Sequence, residues 1–311
     1  MKRRLLWAAV LLLVAASKAP ASPAPRPFLS ASSTVAVKCG ESSVSLPVTW
    51  YFPMPDTSAG LVWLQHGFFR ANENVADLAS KLARAGFVVV ATTIPSLERG
   101  CNINNVTTFL PNFAPLFGTV NQPGSALLAS ARSAAATLGR KVPSLPERFV
   151  FTGHSAGGSA VTLVAKEFVT QFPAVAARLQ GLILLDPVEN LARSMHSSLP
   201  ALASVPILTI SAPPQACNAN TSGTNALLAL GRSFIGVELT SGSHCDAEGA
   251  SGNPVICGLV CGPVRGENVG VLQILAVGWA ADMLRDRTTS ALYPGGTFYT
   301  ALVAAGLVRT L

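Results

Sequence analysis

Charge is scarce in this sequence. Only 12% of its 311 residues are Asp, Glu, Lys or Arg, with 15 acids against 22 bases. No cluster of Lys and Arg marks a nucleic-acid surface, so no nucleic-acid partner is expected. The formal charge of +7 overstates even this small excess. Lys2, Arg3, Arg4 and Lys18 lie in the first 21 residues with no acid among them, so the remainder carries 7 − 4 = +3. Histidine is scarcer still, with four in the chain, so a histidine base must be His66, His154, His196 or His244. Long apolar runs are also missing. The run over 5–16 falls short of the roughly 20 residues that span a bilayer, and no other is long and uninterrupted enough. One absence is local: residues 212–220, Ala-Pro-Pro-Gln-Ala-Cys-Asn-Ala-Asn, hold no carboxylate.

What is present begins with an export pattern. Met-Lys-Arg-Arg, the apolar run and Ala19-Pro20-Ala21 read as a secretory signal peptide over 1–21, with an uncleaved anchor as the competing reading. The Pro-, Ala- and Ser-rich residues 22–33 are expected to form a flexible lead-in, and 34–311 a single α/β domain. Export implies a secreted, cell-envelope or periplasmic location. Cys39, Cys101, Cys217, Cys245, Cys257 and Cys261 all follow the leader. An even cysteine count in an oxidising compartment predicts disulfides. Cys257-x-x-x-Cys261 resembles half of a zinc site, but no matching His or Cys pair lies nearby. A disulfide or free thiols fit better there, and no metal is expected.

Short β-prone runs alternate with helical segments. Strands are predicted over 43–52, 61–65, 87–93, 148–152, 181–185, 206–211 and 234–240, the last of these closing the series. Pro47 suggests that the first lies at an edge. Helices are predicted over 72–85, with Asn72 or Asn74 as cap and Gly86 as stop, and over 124–138, 155–169 and 269–284. Such alternation predicts a mostly parallel central sheet with helices on both faces. The pattern breaks over 95–122, where phenylalanines recur at Phe109, Phe113 and Phe117. That spacing gives one apolar face, either core packing or a wall for substrate. The C-terminal residues with Tyr293, Phe298 and Tyr299 are expected to pack back on the body.

One stretch organises the chemistry. Phe149-Val150-Phe151-Thr152 leads into Gly153-His154-Ser155-Ala156-Gly157-Gly158 and a helix follows, the strand–turn–helix setting of a nucleophile elbow. A serine needs a base to take its proton and a third group to orient the base. His244 alone follows the final predicted strand in a loop of small residues. His154 sits inside the elbow, where the turn should point it away. The strand after the elbow ends in Asp186-Pro187-Val188-Glu189, and Asp186 is the expected acid, with Glu189 or a structural cap as alternatives. Asp246 is too near His244 in sequence. The order Ser, Asp, His is that of the α/β-hydrolase fold. Backbone N–H groups of Phe68 and Ala156 are the expected oxyanion donors, with Gly67 permitting the turn, an ordinary turn being the alternative. Phe69, Phe109 and Phe113 are the expected substrate contacts.

Gly-His-Ser-Ala-Gly-Gly over 153–158, with His66-Gly67-Phe68 upstream, resembles secreted α/β-hydrolases related to chlorophyllases, platelet-activating-factor acetylhydrolases and cutinase-like polyester hydrolases. The resemblance covers 61–246. The Asp186-Pro187-Val188 context is similar to the chlorophyllase placement of the acid. The polyester hydrolases keep theirs one strand later, where this chain has Asn218 and Asn220. Some of those enzymes join the loops beside acid and histidine by a disulfide, which implies a Cys217–Cys245 pair here. The resemblance implies an ester hydrolase working through an acyl-enzyme, with no cofactor. The substrate would be a small-molecule or lipid ester, with contact to a lipid surface, and the protein a monomer. An acyltransferase with the same triad, a peptidase or amidase, and a non-catalytic hydrolase-fold binding protein are the rival readings.

Overall fold

The structure, a computed structural model, describes residues 26–311 apart from residue 57. The leader over 1–21 and residues 22–25 lie outside the described residues. Nine strands form one sheet in the order β1-β2-β4-β3-β5-β6-β7-β8-β9. They are β1 Phe28–Cys39, β2 Ser42–Pro53, β3 Leu61–Gln65, β4 Val88–Thr92, β5 Phe149–His154, β6 Leu179–Leu185, β7 Ile207–Ser211, β8 Gly236–Leu239 and β9 Val308–Thr310. Neighbours from β4 through β3 to β8 pair in parallel, while β1–β2, β2–β4 and β8–β9 are antiparallel. This is the mostly parallel α/β sheet that the alternation predicts.

The central strands are buried on both faces, so they read as continuous apolar runs, yet their side chains still alternate. Leu61 and Trp63 of β3, Val90 of β4, Phe149 and Phe151 of β5, and Leu182 and Leu184 of β6 enter one core. Val62, Leu64, Val89, Val150, Ile183 and Leu185 enter the other. The first core is covered by α2 Ala114–Gly118, α3 Ala126–Thr137 and α4 Ala156–Gln171. The second lies under α1 Ala76–Arg84, α8 Gly266–Arg285 and α9 Thr297–Ala304. The helices α5 Ser194–Ser198, α6 Ser222–Leu228 and α7 Pro254–Val260 belong to connections at the carboxyl ends of the parallel strands.

Several expectations need correction. Residues 28–33 are not a loose lead-in, because they pair in register with 48–53 to begin the long β1–β2 ribbon. β2 is therefore internal and β1 is the edge. Pro47 is tolerated in β2 because β4 pairing begins only at Val48; just beyond it, the Pro47 carbonyl accepts from the Thr93 N–H. β8 is not the last strand, since 308–310 return antiparallel to it. The expected packing of the C-terminal residues on the body is seen in Phe298 and Tyr299, both buried in the second core.

Phe109 and Phe113 are not wall residues of a pocket. Both are 0% exposed. Trp63 lies 5.6 Å from Phe113, 5.3 Å from Phe117 and 5.2 Å from Phe151 between ring centroids. The four-residue spacing folds into a 3₁₀ turn, Leu110–Phe113, running into α2, and presents the rings to the sheet. Phe113→Ala should lower the unfolding free energy by about 3–5 kcal/mol in urea denaturation, whereas Leu97→Ala, at a 73% exposed position, should change it by less than about 0.5 kcal/mol. Equal effects at the two positions would contradict the core assignment.

Candidate functional site

β5 ends at His154, α4 begins at Ala156, and Ser155 between them adopts φ 57°, ψ −127°. For a residue with a Cβ this conformation costs about 1–3 kcal/mol and needs support from its surroundings. Support comes from three backbone bonds. The Ser155 N–H donates to Leu185 at 3.1 Å, and its carbonyl accepts from Gly158 at 2.8 Å and Val188 at 3.0 Å. The tight turn also needs space. A Cβ on Gly153 would lie 2.3 Å from the Gly157 carbonyl oxygen, and one on Gly157 would lie 2.4 Å from that of His66. Both distances are shorter than any real contact, so the small residues are sterically required.

From this turn a continuous chain of hydrogen bonds runs through three loops. Ser155 Oγ is 2.8 Å from His244 Nε2, and His244 Nδ1 is 2.5 Å from Asp186 Oδ2. The three residues follow β5, β8 and β6 respectively, at the carboxyl ends of parallel strands. Each is nearly closed off from solvent, at 7%, 7% and 4% exposure. The other oxygen of Asp186 accepts from the Ala212 N–H at 2.9 Å and from Asn218 Nδ2 at 3.2 Å. With Nδ1 facing the carboxylate, Nε2 presents its lone pair to the serine hydroxyl. This arrangement can remove the serine proton and hold the resulting imidazolium.

Glu189 and Asp246 serve elsewhere. Glu189 Oε1 accepts from the Met195 N–H and Oε2 from the His196 N–H, at 2.9 and 2.7 Å, capping the first turn of α5. Asp246 Oδ2 accepts from the Ser243 N–H at 2.8 Å and Oδ1 from the Arg265 N–H at 3.2 Å. Burial pushes its pKa up to about 6 against the pull of those amides.

Phe68 lies in the loop after β3, and Ala156 directly follows Ser155 at the start of α4. Neither amide has a hydrogen-bond acceptor among the described residues. Gly67 acts differently from the expectation. Its value lies in space, since a Cβ there would sit 2.7 Å from Ser155 Cβ. The left-handed turn falls on Phe69, at φ 55°, whose N–H donates to Ser96 Oγ at 2.7 Å. Phe69 itself is 63% exposed. Arg70 then reaches the segment after His244, donating from Nε to Glu248 Oε1 at 2.5 Å.

Of the remaining histidines, His154 contacts His244. His154 Nε2 donates to the His244 carbonyl at 2.8 Å, so the elbow histidine holds the base's backbone. Its Nδ1 has no hydrogen-bond partner among the described residues. Burial, reinforced by the His244 ring 4.7 Å away, pushes its pKa well below the ordinary histidine value. His66 accepts from the Ile94 N–H at Nε2 and donates from Nδ1 to the Gly67 carbonyl. His196 is exposed on α5.

Cys217 and Cys245 do not pair with each other. The bonds are Cys39–Cys101, Cys217–Cys261 and Cys245–Cys257. Cys257 lies in α7 and Cys261 directly after it, so this short helix stands between the two loops and supplies a partner to each. Sulfurs bonded in this way leave no thiolate for the Cys257-x-x-x-Cys261 zinc reading. Sequence reasoning missed Asn218 as a neighbour of the acid, His154 as a tether, and the Arg70–Glu248 pair. Asn218 alone left a signal, as the polar residue in the loop that lacks a carboxylate.

No family model matches the chain, and no curated protein matches it in sequence.

The His66 environment generates a pH dependence. Burial pushes its pKa down to about 4, with the Gly67 carbonyl opposing and Arg70 adding to the shift. The folded state favours the neutral ring, so the contribution is complete above the unfolded value near 6.5 and is lost as pH falls toward 4. Unfolding free energy should fall across that window, and His66→Gln should reduce the slope by up to about 1.4 kcal/mol per pH unit. Denaturant titrations from pH 4 to 7 that give the variant the wild-type slope would contradict this.

Proposed function

We propose that this chain is a secreted serine hydrolase of the α/β-hydrolase kind, cleaving carboxylic esters of apolar, lipid-like or small acyl groups. The observation that carries the reading is the unbroken Asp186–His244–Ser155 hydrogen-bond chain, centred on a serine at φ 57°. A serine in that conformation costs stability, and its hydroxyl meets a histidine whose far nitrogen faces a buried carboxylate. Chance packing has no reason to retain this combination.

In the proposed cycle Ser155 Oγ attacks the ester carbonyl carbon as His244 Nε2 takes its proton. The carbonyl oxygen becomes an oxyanion held by the Phe68 and Ala156 amides, the latter at the N-terminus of the 16-residue α4. The bond to the alcohol oxygen then breaks, and His244 returns the proton to that oxygen. Water attacks the acyl-serine by the same route, releasing the acid and restoring Ser155. Asp186 keeps the tautomer and stabilises the imidazolium throughout. The exposed ring of Phe69, two residues after the glycine that abuts Ser155, is the proposed contact for the acyl or alcohol group. Export is supported by the leader pattern over 1–21 and by three disulfides, which belong to an oxidising compartment.

A fluorophosphonate probe should label the wild type and fail to label Ser155→Ala. In an ester panel of increasing acyl length, Asp186→Asn should lower kcat by roughly 10⁴-fold while its circular dichroism stays native. Labelling that survives Ser155→Ala, or near-normal turnover in Asp186→Asn, would sink the assignment.

A further inference from the structure

The loop after β7, where the sequence has no carboxylate, is built around one side chain. Asn218 is 0% exposed and uses both ends of its amide. Oδ1 accepts from the Gln215 N–H at 3.0 Å and the Thr221 N–H at 2.9 Å. Nδ2 donates to the Pro213 carbonyl at 2.9 Å and to Asp186 Oδ1 at 3.2 Å, with the Ala212 carbonyl at 3.4 Å. Directly after it, Ala219, Asn220 and Thr221 take φ of 46°, 53° and 60°. Three successive left-handed residues with side chains are costly, and a loop keeps them only when its surroundings over-determine the path. That path delivers the Asn218 amide to the acid. The Cys217–Cys261 bond holds the adjoining residue.

We propose that Asn218 is a positioning residue for Asp186: its amide and the Ala212 N–H occupy one carboxylate oxygen, so that the other stays aimed at His244 Nδ1. This rests on the serine-hydrolase reading above. Without the Asn218 donor, Oδ1 loses one of its two partners in a buried site and is held by the Ala212 N–H alone. The amide must also be neutral. A second carboxylate there would face Asp186, raising the pKa of one of the pair and adding negative charge near His244. Other titratable groups around the site are Asp246 on the loop after β8 and His154 behind His244. His66 and Arg70 come from the loop after β3, and Glu189 from Asp186's own loop. None of them changes in the variants below.

The test is the pH dependence of Ser155 labelling by a fluorophosphonate, with thermal unfolding of each variant as a check on folding. Asn218→Asp keeps the oxygen that Gln215 and Thr221 need, and converts only the donor. Its profile should gain an ionisation absent from the wild type, and its acid limb should move up by about one pH unit. Asn218→Ala should lower the maximal labelling rate about tenfold or more, with probe affinity little changed. Folded variants whose profiles and rates superimpose on the wild type would overturn the proposal, and so would loss of the fold in both, which would make Asn218 structural only. Absence of labelling in the wild type would instead overturn the hydrolase reading itself.

Discussion

The site depends on one constraint: a serine with a side chain held in backbone space that side chains avoid. Everything near Ser155 follows from making that conformation tolerable. Strand and helix must almost touch, which demands glycine at 153 and 157. The loop after β3 must come close as well, which demands glycine at 67. The loop after β6 must send its Val188 N–H back to the Ser155 carbonyl, and that same loop begins with Asp186. The strain is thus met in part by the loop that carries Asp186. Loosening the loop after β6 would relax the serine and move Asp186 together.

The second demand is a buried carboxylate without a Lys or Arg partner. Among the described residues, the one ion pair formed by Asp186 is with His244. Desolvating such a group costs several kcal/mol unless hydrogen bonds replace the lost water. Here an imidazole N–H, a backbone N–H and a side-chain amide supply them. A neighbouring guanidinium would stabilise the carboxylate as well, but it would also oppose charge on His244. Neutral donors satisfy the acid and bring no positive charge to the imidazole. Arg70, the nearest cation by chain position to Gly67 and Phe68, is instead occupied by Glu248.

Much of this was legible in the sequence because the signals are local. Alternating apolar runs gave the central strands to within a few residues, and Gly-x-Ser-x-Gly after a strand marked the turn. Ser155, Asp186 and His244 could be chosen by their place after strands, since a parallel sheet gathers those ends. What failed was non-local. Residues 28–33 look like a linker and become a strand only because 48–53 offers a register. Phe109 and Phe113 have the spacing of an apolar face, but spacing does not say whether a face meets substrate or Trp63. The disulfide partners were misassigned because α7, invisible as a spacer in the sequence, comes between the two loops. The roles of His154 and Asn218 required knowing which backbones approach each other.

The placement of the acid has a geometric reason. β6 and β7 are adjacent and parallel, with Leu185 opposite Ile210, and the Asp186 N–H donates to the Ile210 carbonyl. The loops leaving these two strands therefore start side by side. Either could present a carboxylate to the imidazole. Both could not, because two buried carboxylates in contact cannot both ionise near neutral pH. Once β6 carries the acid, the loop after β7 must offer a donor, and it must be polar, because the carboxylate has acceptor capacity left after His244. Asparagine meets both conditions with the shape of an aspartate and none of its charge. The missing carboxylate over 212–220 and the presence of Asp186 are thus two sides of one arrangement.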